Sequence, residues 1–428
     1  MNSKKGIRIS TKDGRRVVEG TGYYEPDRVN DLREIVRGSA QKFGNAPAFK
    51  FKNKRKEIVS KTYIEFGEDI DCLGTALMSL GLKGARIAII SENRYEWSVC
   101  YFSVVNGVGI AVPMDKYLPQ AEVENLIERS RAEAIFYSPV YHEMMAEISK
   151  TNKRIKYYIC MEKISVFNLD ESKFLALPDL IEKGKLLIKA HDRSFIDAPI
   201  DRDKMSVLLF TSGTTSMSKG VMLSHANIAS NVTSITTIIK AGPGDVHLSL
   251  LPLHHTFECT IGLVFMVHRG VCIAYCEGIR HIAQNMQEYG VTILVAVPAI
   301  LEAIYKKLRE GIQKSGKEKL FNLMAKVSKV LRKLGIDARR KSFGSILKQL
   351  GPNLRLAVSG AAPLPPDIIE GFDAIGLKIL QGYGLTETSP VVATNNDFAN
   401  KIGTVGYPPL GVEVTIDSPD ENGMGEIL

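Results

Sequence analysis

"LLFTSGTTSMSKGVMLSH", residues 208–225, leaves an apolar run for eight mostly small or polar residues and then meets a lysine and a glycine. The run before it, "MSVLLF" from residue 205, has the nearly continuous apolar character of a strand buried on both faces. A loop of small residues offers backbone N–H groups and hydroxyls that can converge on phosphate oxygens, and Lys219 adds a fixed positive charge. The same composition also builds plain polar connectors. It is not a Walker A loop, because Lys219 follows Gly213 by six positions and is itself followed by glycine.

Outward from this stretch, apolar runs alternate with amphipathic ones. Upstream, helical spacing marks "NDLREIVRGSAQKFG" and "TYIEFGEDIDCLGTALMSLGL", the second opened by Thr62 as a cap. Strands at "ARIAIIS", "GIAVPM", "AEAIFYS" and "RIKYYICM" alternate with helices at "RYEWSVCYFSVVNGV" and "AEVENLIERSR". Downstream, "DVHLSLLPL", "VCIAYC", "VTILVAVP", "LRLAVSG" and "LKILQGYG" read as strands, each next to a helical stretch. Apolar strands separated by helices mean mainly parallel sheets covered on both faces. The expectation is an α/β chain of two lobes, residues 1–200 and 201–390, joined by the turn-rich linker "SFIDAPIDRDK". After Pro390, short runs broken by Gly, Pro and Asn predict the start of a small barrel-like β element over 391–428.

With 428 residues, 45% hydrophobic and 24% charged, the chain is long enough for two or three packed units, and general disorder is excluded. Its formal charge of +8 is unevenly placed: residues 306–348 carry fourteen basic residues against Glu310, Glu318 and Asp337, leaving the remainder mildly acidic. In this basic helical insertion (306–350), Leu320, Leu323, Met324, Val327, Val330, Leu331 and Leu334 form a helical stripe with lysines opposite. A solvated surface helix fits the pattern, and so does an interfacial helix resting on anionic lipid. No aromatic platform accompanies the charge, so nucleic acid is not indicated. Six scattered cysteines without CxxC spacing suit a reducing compartment. The N-terminus has no apolar segment behind its charges, and "IGLVFMV" is too short to span a bilayer. The expected location is cytoplasmic, with peripheral contact at the inner membrane surface through 306–348.

"LQGYGLTETSP", residues 380–390, ends an apolar run and then places Tyr383, Thr386 and Glu387 within five positions. Glu387 suits a magnesium ion, Thr386 a phosphate and the Tyr383 ring a purine face, although a polar turn with a half-buried tyrosine has the same pattern. "AVSGAAPLPPDI", residues 357–368, by itself signals a tight strand-to-helix turn. The adjacent histidines of "LPLHHTFE", residues 251–258, form an isolated pair, which is far more often structural than metal-binding. The stretch also departs from the HHxxxD signature of carrier-protein acyltransferases, because Cys259 stands where aspartate is required.

The order Thr211, Ser212, Gly213, Thr214, Thr215, then Lys219 and Gly220, closely resembles the phosphate loop of the adenylate-forming superfamily, which includes the acyl-CoA synthetases. "QGYGLTE" resembles that superfamily's motif for adenine stacking, phosphate contact and magnesium. Two such motifs about 170 residues apart and in the right order make a chance match of either improbable. Two positions of the loop depart: Ser216 stands where the family has glycine, which stiffens the loop, and Ser218 where it has proline, which loosens it. Neither change removes a phosphate donor.

"RIAIISENRYEWSVCYFSVVNGVGIAVPMD" also resembles the family's early segment, so the likeness covers nearly the whole chain, and it is to long-chain fatty acid–CoA ligases. It implies ATP, Mg2+ and CoA as cofactor and co-substrates, and a fatty acid as the acid partner. It further implies nucleotide contacts at Thr211 to Thr215, Lys219, Gly360, Ala361, Ala362, Gln381, Gly382, Tyr383, Gly384 and Thr386, with Glu387 on the metal. Lys219, Thr386, Glu387 and His255 are the implied catalytic residues, His255 beside the carboxylate substrate. The family's ribose-binding aspartate, its hinge and its small C-terminal domain with a catalytic lysine would lie beyond Leu428. The expectation is therefore the large N-terminal domain alone, impaired in turnover. Two alternatives stay open: an acyl-AMP ligase that transfers to a carrier protein, and a non-catalytic lipid-surface module on the same fold.

Overall fold

A computed structural model describes residues 2–4, 6–163, 169–211, 218–316 and 318–428. It contains two compact units: the first holds Val29–Ser230 and Pro252–Gly270, the second Met1–Arg28, Asn231–Leu251 and Val271–Leu428.

The first unit is built on a seven-stranded sheet in the order Phe174–Ala176, Tyr157–Cys160, Ala134–Tyr137, Arg86–Ile90, Ile110–Pro113, Met205–Thr211 and Lys219–Ser224. The strands run parallel except the last, which returns antiparallel. Ala134–Tyr137 is buried at every position, which is why its sequence reads as a continuous apolar run. Ile90, Val112, Ile127, Ile135 and Tyr158 form part of the core on one face. Helix starts follow the expected chemistry. Asp31 accepts the Glu34 N–H at 2.8 Å to open Leu32–Phe43, and Thr62 and Glu65 form a reciprocal capping box for Tyr63–Ser79.

Phe195 and Ala198 of the stretch "SFIDAPIDRDK" pack into this unit. Phe195 is buried against Gly74, where an added Cβ would lie 2.4 Å from the ring. Arg33 donates to the carbonyls of Ala198 at 2.5 Å, Phe195 at 3.3 Å and Asn106. Turn chemistry in a sequence records backbone direction and carries no information about burial, so the packing was not visible in it.

In the second unit six strands lie side by side in the order Val391–Thr394, Lys378–Gly384, Leu356–Ser359, Ile293–Ala296, Val246–Ser249 and Cys272–Tyr275, parallel except for the first. Leu248, Leu294, Ala357, Phe372 and Ile379 belong to its core. The expected barrel-like element is not closed among the described residues. Glu413–Asp417 and Glu426–Ile427 instead complete an open five-stranded sheet with Asn2–Lys4, Gly6–Lys12 and Arg15–Gly22. Val414 pairs with Val18, and Lys12 meets Glu413 at 2.6 Å, so residues 1–28 lie in the unit that also holds the end of the chain. Among the described residues no helix is long and apolar enough to cross a membrane, and all six cysteines are free.

Candidate functional site

In each unit the residues singled out by sequence gather at the C-terminal ends of parallel strands, the edge where open α/β sheets bind ligands.

In the first unit, Met205–Thr211 pairs antiparallel with Lys219–Ser224, Thr211 standing opposite Lys219. Ser212, Gly213, Thr214, Thr215 and Ser216 lie outside the described residues. Thr211 is half-buried and Lys219 exposed; among the described residues the Lys219 ammonium has no hydrogen bond or ion pair. Arg129, in the last turn of Gln120–Ser130, holds the far end of the stretch. Its Nη1 donates to Ser218 Oγ at 2.8 Å and its Nη2 to the Ser218 carbonyl at 2.5 Å, while the guanidinium lies 5.1 Å over the Phe210 ring. The backbone constraint that a proline ring would impose at this position is replaced by a two-pronged arginine contact. Sequence reasoning did not find Arg129, for which the only signal was a basic residue in a helix's last turn.

The histidine pair sits at the same edge. The Leu253 N–H donates to Asn93 Oδ1 at 3.2 Å, just after the strand Arg86–Ile90. His254 Nε2 lies 3.8 Å from Asp115 Oδ2, just after Ile110–Pro113, and the two imidazoles lie 4.0 Å apart. Burial draws the His254 pKa down to about 4, helped by its neighbour His255 and opposed by Asp115. His255, the exposed member, is lowered by desolvation and held up by Asp115. Both rings are therefore neutral at pH 7. Cys259 is buried and its thiol is pushed up to about 12, so the acyltransferase reading gains no acid or base there.

In the second unit, Gly360, Ala361 and Ala362 follow the strand Leu356–Ser359, and Gln381, Gly382, Tyr383 and Gly384 end the neighbouring strand, with Ser359 and Gln381 in register. The structure thus brings these two motifs together. Ala361 has φ +70, a left-handed conformation that costs a non-glycine residue roughly 1–2 kcal/mol. Ser359 Oγ and Gln381 Oε1 are buried with no hydrogen-bond partner among the described residues. Strain and unsatisfied polar atoms on adjacent strand ends are features that concentrate at ligand sites.

The turn that follows is firmly fixed. The Leu385 N–H donates to the Pro390 carbonyl at 3.1 Å and to Thr388 Oγ1 at 3.0 Å. Asn231 donates to the Val391 carbonyl at 3.0 Å and accepts the Val391 N–H at 3.3 Å. Asn231 is a second positioning residue that the sequence did not reveal. Thr386 is half-buried, and the exposed Glu387 carboxylate has no partner among the described residues. An apolar cavity of about 380 Å3 lies against the helix Pro298–Lys314, lined by Ile282, Met286, Ile300, Ala303, Ile304 and Leu308 among others.

The family profile described as AMP-binding enzyme matches residues 36–428. The chain belongs to that family. One relative is the peroxisomal long chain acyl-CoA synthetase 6 of Arabidopsis thaliana, 28% identical over 376 residues covering 84% of this chain and 53% of the relative. A chloroplastic long-chain-fatty-acid–[acyl-carrier-protein] ligase of the same plant is 26% identical, over 91% of this chain and 60% of its own length. The chain therefore spans little more than half the length of these relatives. A solved long-chain-fatty-acid-CoA ligase from Archaeoglobus fulgidus superposes with a TM-score of 0.72 at 18% identity, over 98% of this chain and 77% of that one, a likeness of fold.

Members of such a family of ligases use ATP with Mg2+. Among the described residues no three His, Cys, Asp or Glu side chains group as a metal cage. A single unpaired carboxylate is nevertheless what a magnesium ion carried on phosphates requires, since Mg2+ keeps most of its ligands from water and substrate. Glu387 fits that role.

Proposed function

We propose that this AMP-binding enzyme activates a long-chain carboxylic acid by adenylation. A carboxylate oxygen attacks the α-phosphorus of ATP, the bond to the bridging oxygen breaks, and acyl-AMP and pyrophosphate form. The CoA thiol then displaces AMP to give the thioester. The observation that carries the reading is the pair of adjacent strand ends in the second unit, where the strained Gly360–Ala361–Ala362 turn lies beside Tyr383, Thr386 and Glu387, whose carboxylate has no partner among the described residues.

In this reading the Tyr383 ring stacks on adenine and Thr386 donates to the α-phosphate. Glu387 would hold Mg2+, which supplies neutralisation of charge on the departing phosphates. Lys219 and the loop before it contact the β- and γ-phosphates. His255, exposed and neutral, stands beside the carboxylate. Catalysis needs no covalent intermediate on the protein and rests on in-line positioning.

Calorimetric titration with Mg-ATP tests the reading. Glu387→Ala and Lys219→Ala should each weaken binding by about tenfold or more, the usual worth of one hydrogen bond to a charged group. A wild-type chain that takes up no Mg-ATP would favour a non-catalytic module instead. A second acceptor is raised by the relative named as an acyl-carrier-protein ligase. Acyl transfer from preformed acyl-AMP to a phosphopantetheinylated carrier, measured beside transfer to CoA, separates the two.

A further inference from the structure

We propose that the helix Glu318–Lys333 of the second unit seats on an anionic lipid surface. This goes beyond the adenylation reading and stands or falls independently of it.

The apolar residues of this helix divide into a covered set and a bare set. The inner face is occupied. Phe321 packs on Phe343 with ring centroids 5.2 Å apart, Met324 and Ala325 lie against the unit's core, and the Arg309 guanidinium covers Phe321 at 5.3 Å while pairing with Glu318 at 2.8 Å. The outer face is bare: Leu320, Leu323, Val327, Val330 and Leu334, just past the helix end, are between 50% and 71% exposed. They recur in steps of three and four, which at about 100° per residue confines them to an arc of roughly 80°. A helix on a water-facing surface has a single apolar stripe; a second, continuous one marks a surface that is covered in use.

Charge decides what covers it. The arginines of this segment are engaged inward: Arg332 with Asp373 at 2.5 Å, Arg339 with Asp337 and Asp373 at 2.6 Å each, and Arg340 with the carbonyls of Leu354 and Pro352. Lys319 and Lys326, on the far border of the bare stripe, and Lys329 beyond them are exposed and have no partner among the described residues. Their long stems can lie along the apolar stripe while the ammonium groups reach outward. An apolar stripe edged by these exposed lysines matches the acyl and phosphate layers of an anionic membrane, where each lysine adds attraction. A second copy of the chain fits poorly, because a twofold contact through this face would set its lysines against themselves.

Vesicle co-sedimentation of the whole chain tests this. The wild type should partition about tenfold or more in favour of vesicles of equal parts phosphatidylglycerol and phosphatidylcholine over phosphatidylcholine alone, and should be largely released near 1 M salt. The double variants Leu323→Gln/Val330→Gln and Lys319→Gln/Lys326→Gln should each lose about tenfold in partitioning, with unchanged melting temperature because these positions face outward. Equal partitioning onto both vesicle types, or double variants that sediment like the wild type, would overturn the proposal. So would a concentration-dependent dimer in sedimentation velocity that the Leu323→Gln/Val330→Gln variant abolishes, which would make the stripe a protein interface.

Discussion

Gly384→Ala should lower stability by about 1–3 kcal/mol, the range for forcing an extra group into a closed space. A Cβ at this position would lie 1.9 Å from the Pro390 carbonyl oxygen and 2.7 Å from its carbon. The obstacle is backbone, so no side chain can swing away. The same carbonyl accepts the Leu385 N–H, and Gly384 pairs with Val391, so relief requires the two strands to part where Thr386 and Glu387 are mounted. Gly382→Ala is the control. Its Cβ would lie 3.3 Å from the Ala393 carbonyl and from Thr394 Oγ1, and its expected cost is under about 1 kcal/mol. Urea unfolding of both variants gives the comparison, with Mg-ATP titration alongside. Equal midpoints would show that the close approach at Gly384 is of no consequence.

Acidification should destabilise the first unit through His254. The folded-state pKa of about 4 lies below the ordinary value of 6.5, so between those values the unfolded chain binds more protons than the folded one. Stability is therefore full above pH 6.5, falls as the pH drops towards 4, and loses nothing more to this residue below that. The full loss is about 3 kcal/mol. The buried His225 ring, lowered by desolvation, adds in the same direction. Urea midpoints at several pH values for the wild type and His254→Asn isolate the residue. The variant should show a shallower decline over this window, and parallel curves would remove His254 from the account.

The parallel strands were legible in the sequence because burial on both faces leaves them almost no polar residues, as at Ala134–Tyr137 and Ile293–Ala296. The N-terminal sheet was not. Its strands expose one face and carry charges such as Arg8 and Glu19, and the strand that pairs with Arg15–Gly22 lies at 413–417, near the other end of the chain. Lys219–Ser224 was missed because its apolar run is only Val221, Met222 and Leu223, preceded by a lysine and a glycine that read as loop. The motif residues around Tyr383 and Gly360 were found because their order is distinctive. Arg129 and Asn231 were not, since each acts on a partner 89 or 160 positions away and neither residue type is unusual where it stands. On the basic helix, periodicity grouped Met324 with Leu323 and Val330 and could not show that Met324 turns inward, beside Phe321, while the other two turn outward.

The pairing of Thr211 with Lys219 has a consequence for how this part of the chain tolerates change in length. Lys219 occupies a rung of a ladder, on the same side of its strand as the buried Val221 and Leu223. A residue inserted between the two rungs lengthens only the span that joins them and leaves the lysine on its side of the sheet. One inserted just after Lys219 would set the ladder against the side-chain alternation: either Val221 and Leu223 exchange sides with Met222, or the lysine does. Natural and engineered variants of this protein should therefore hardly differ in length from 219 to 224.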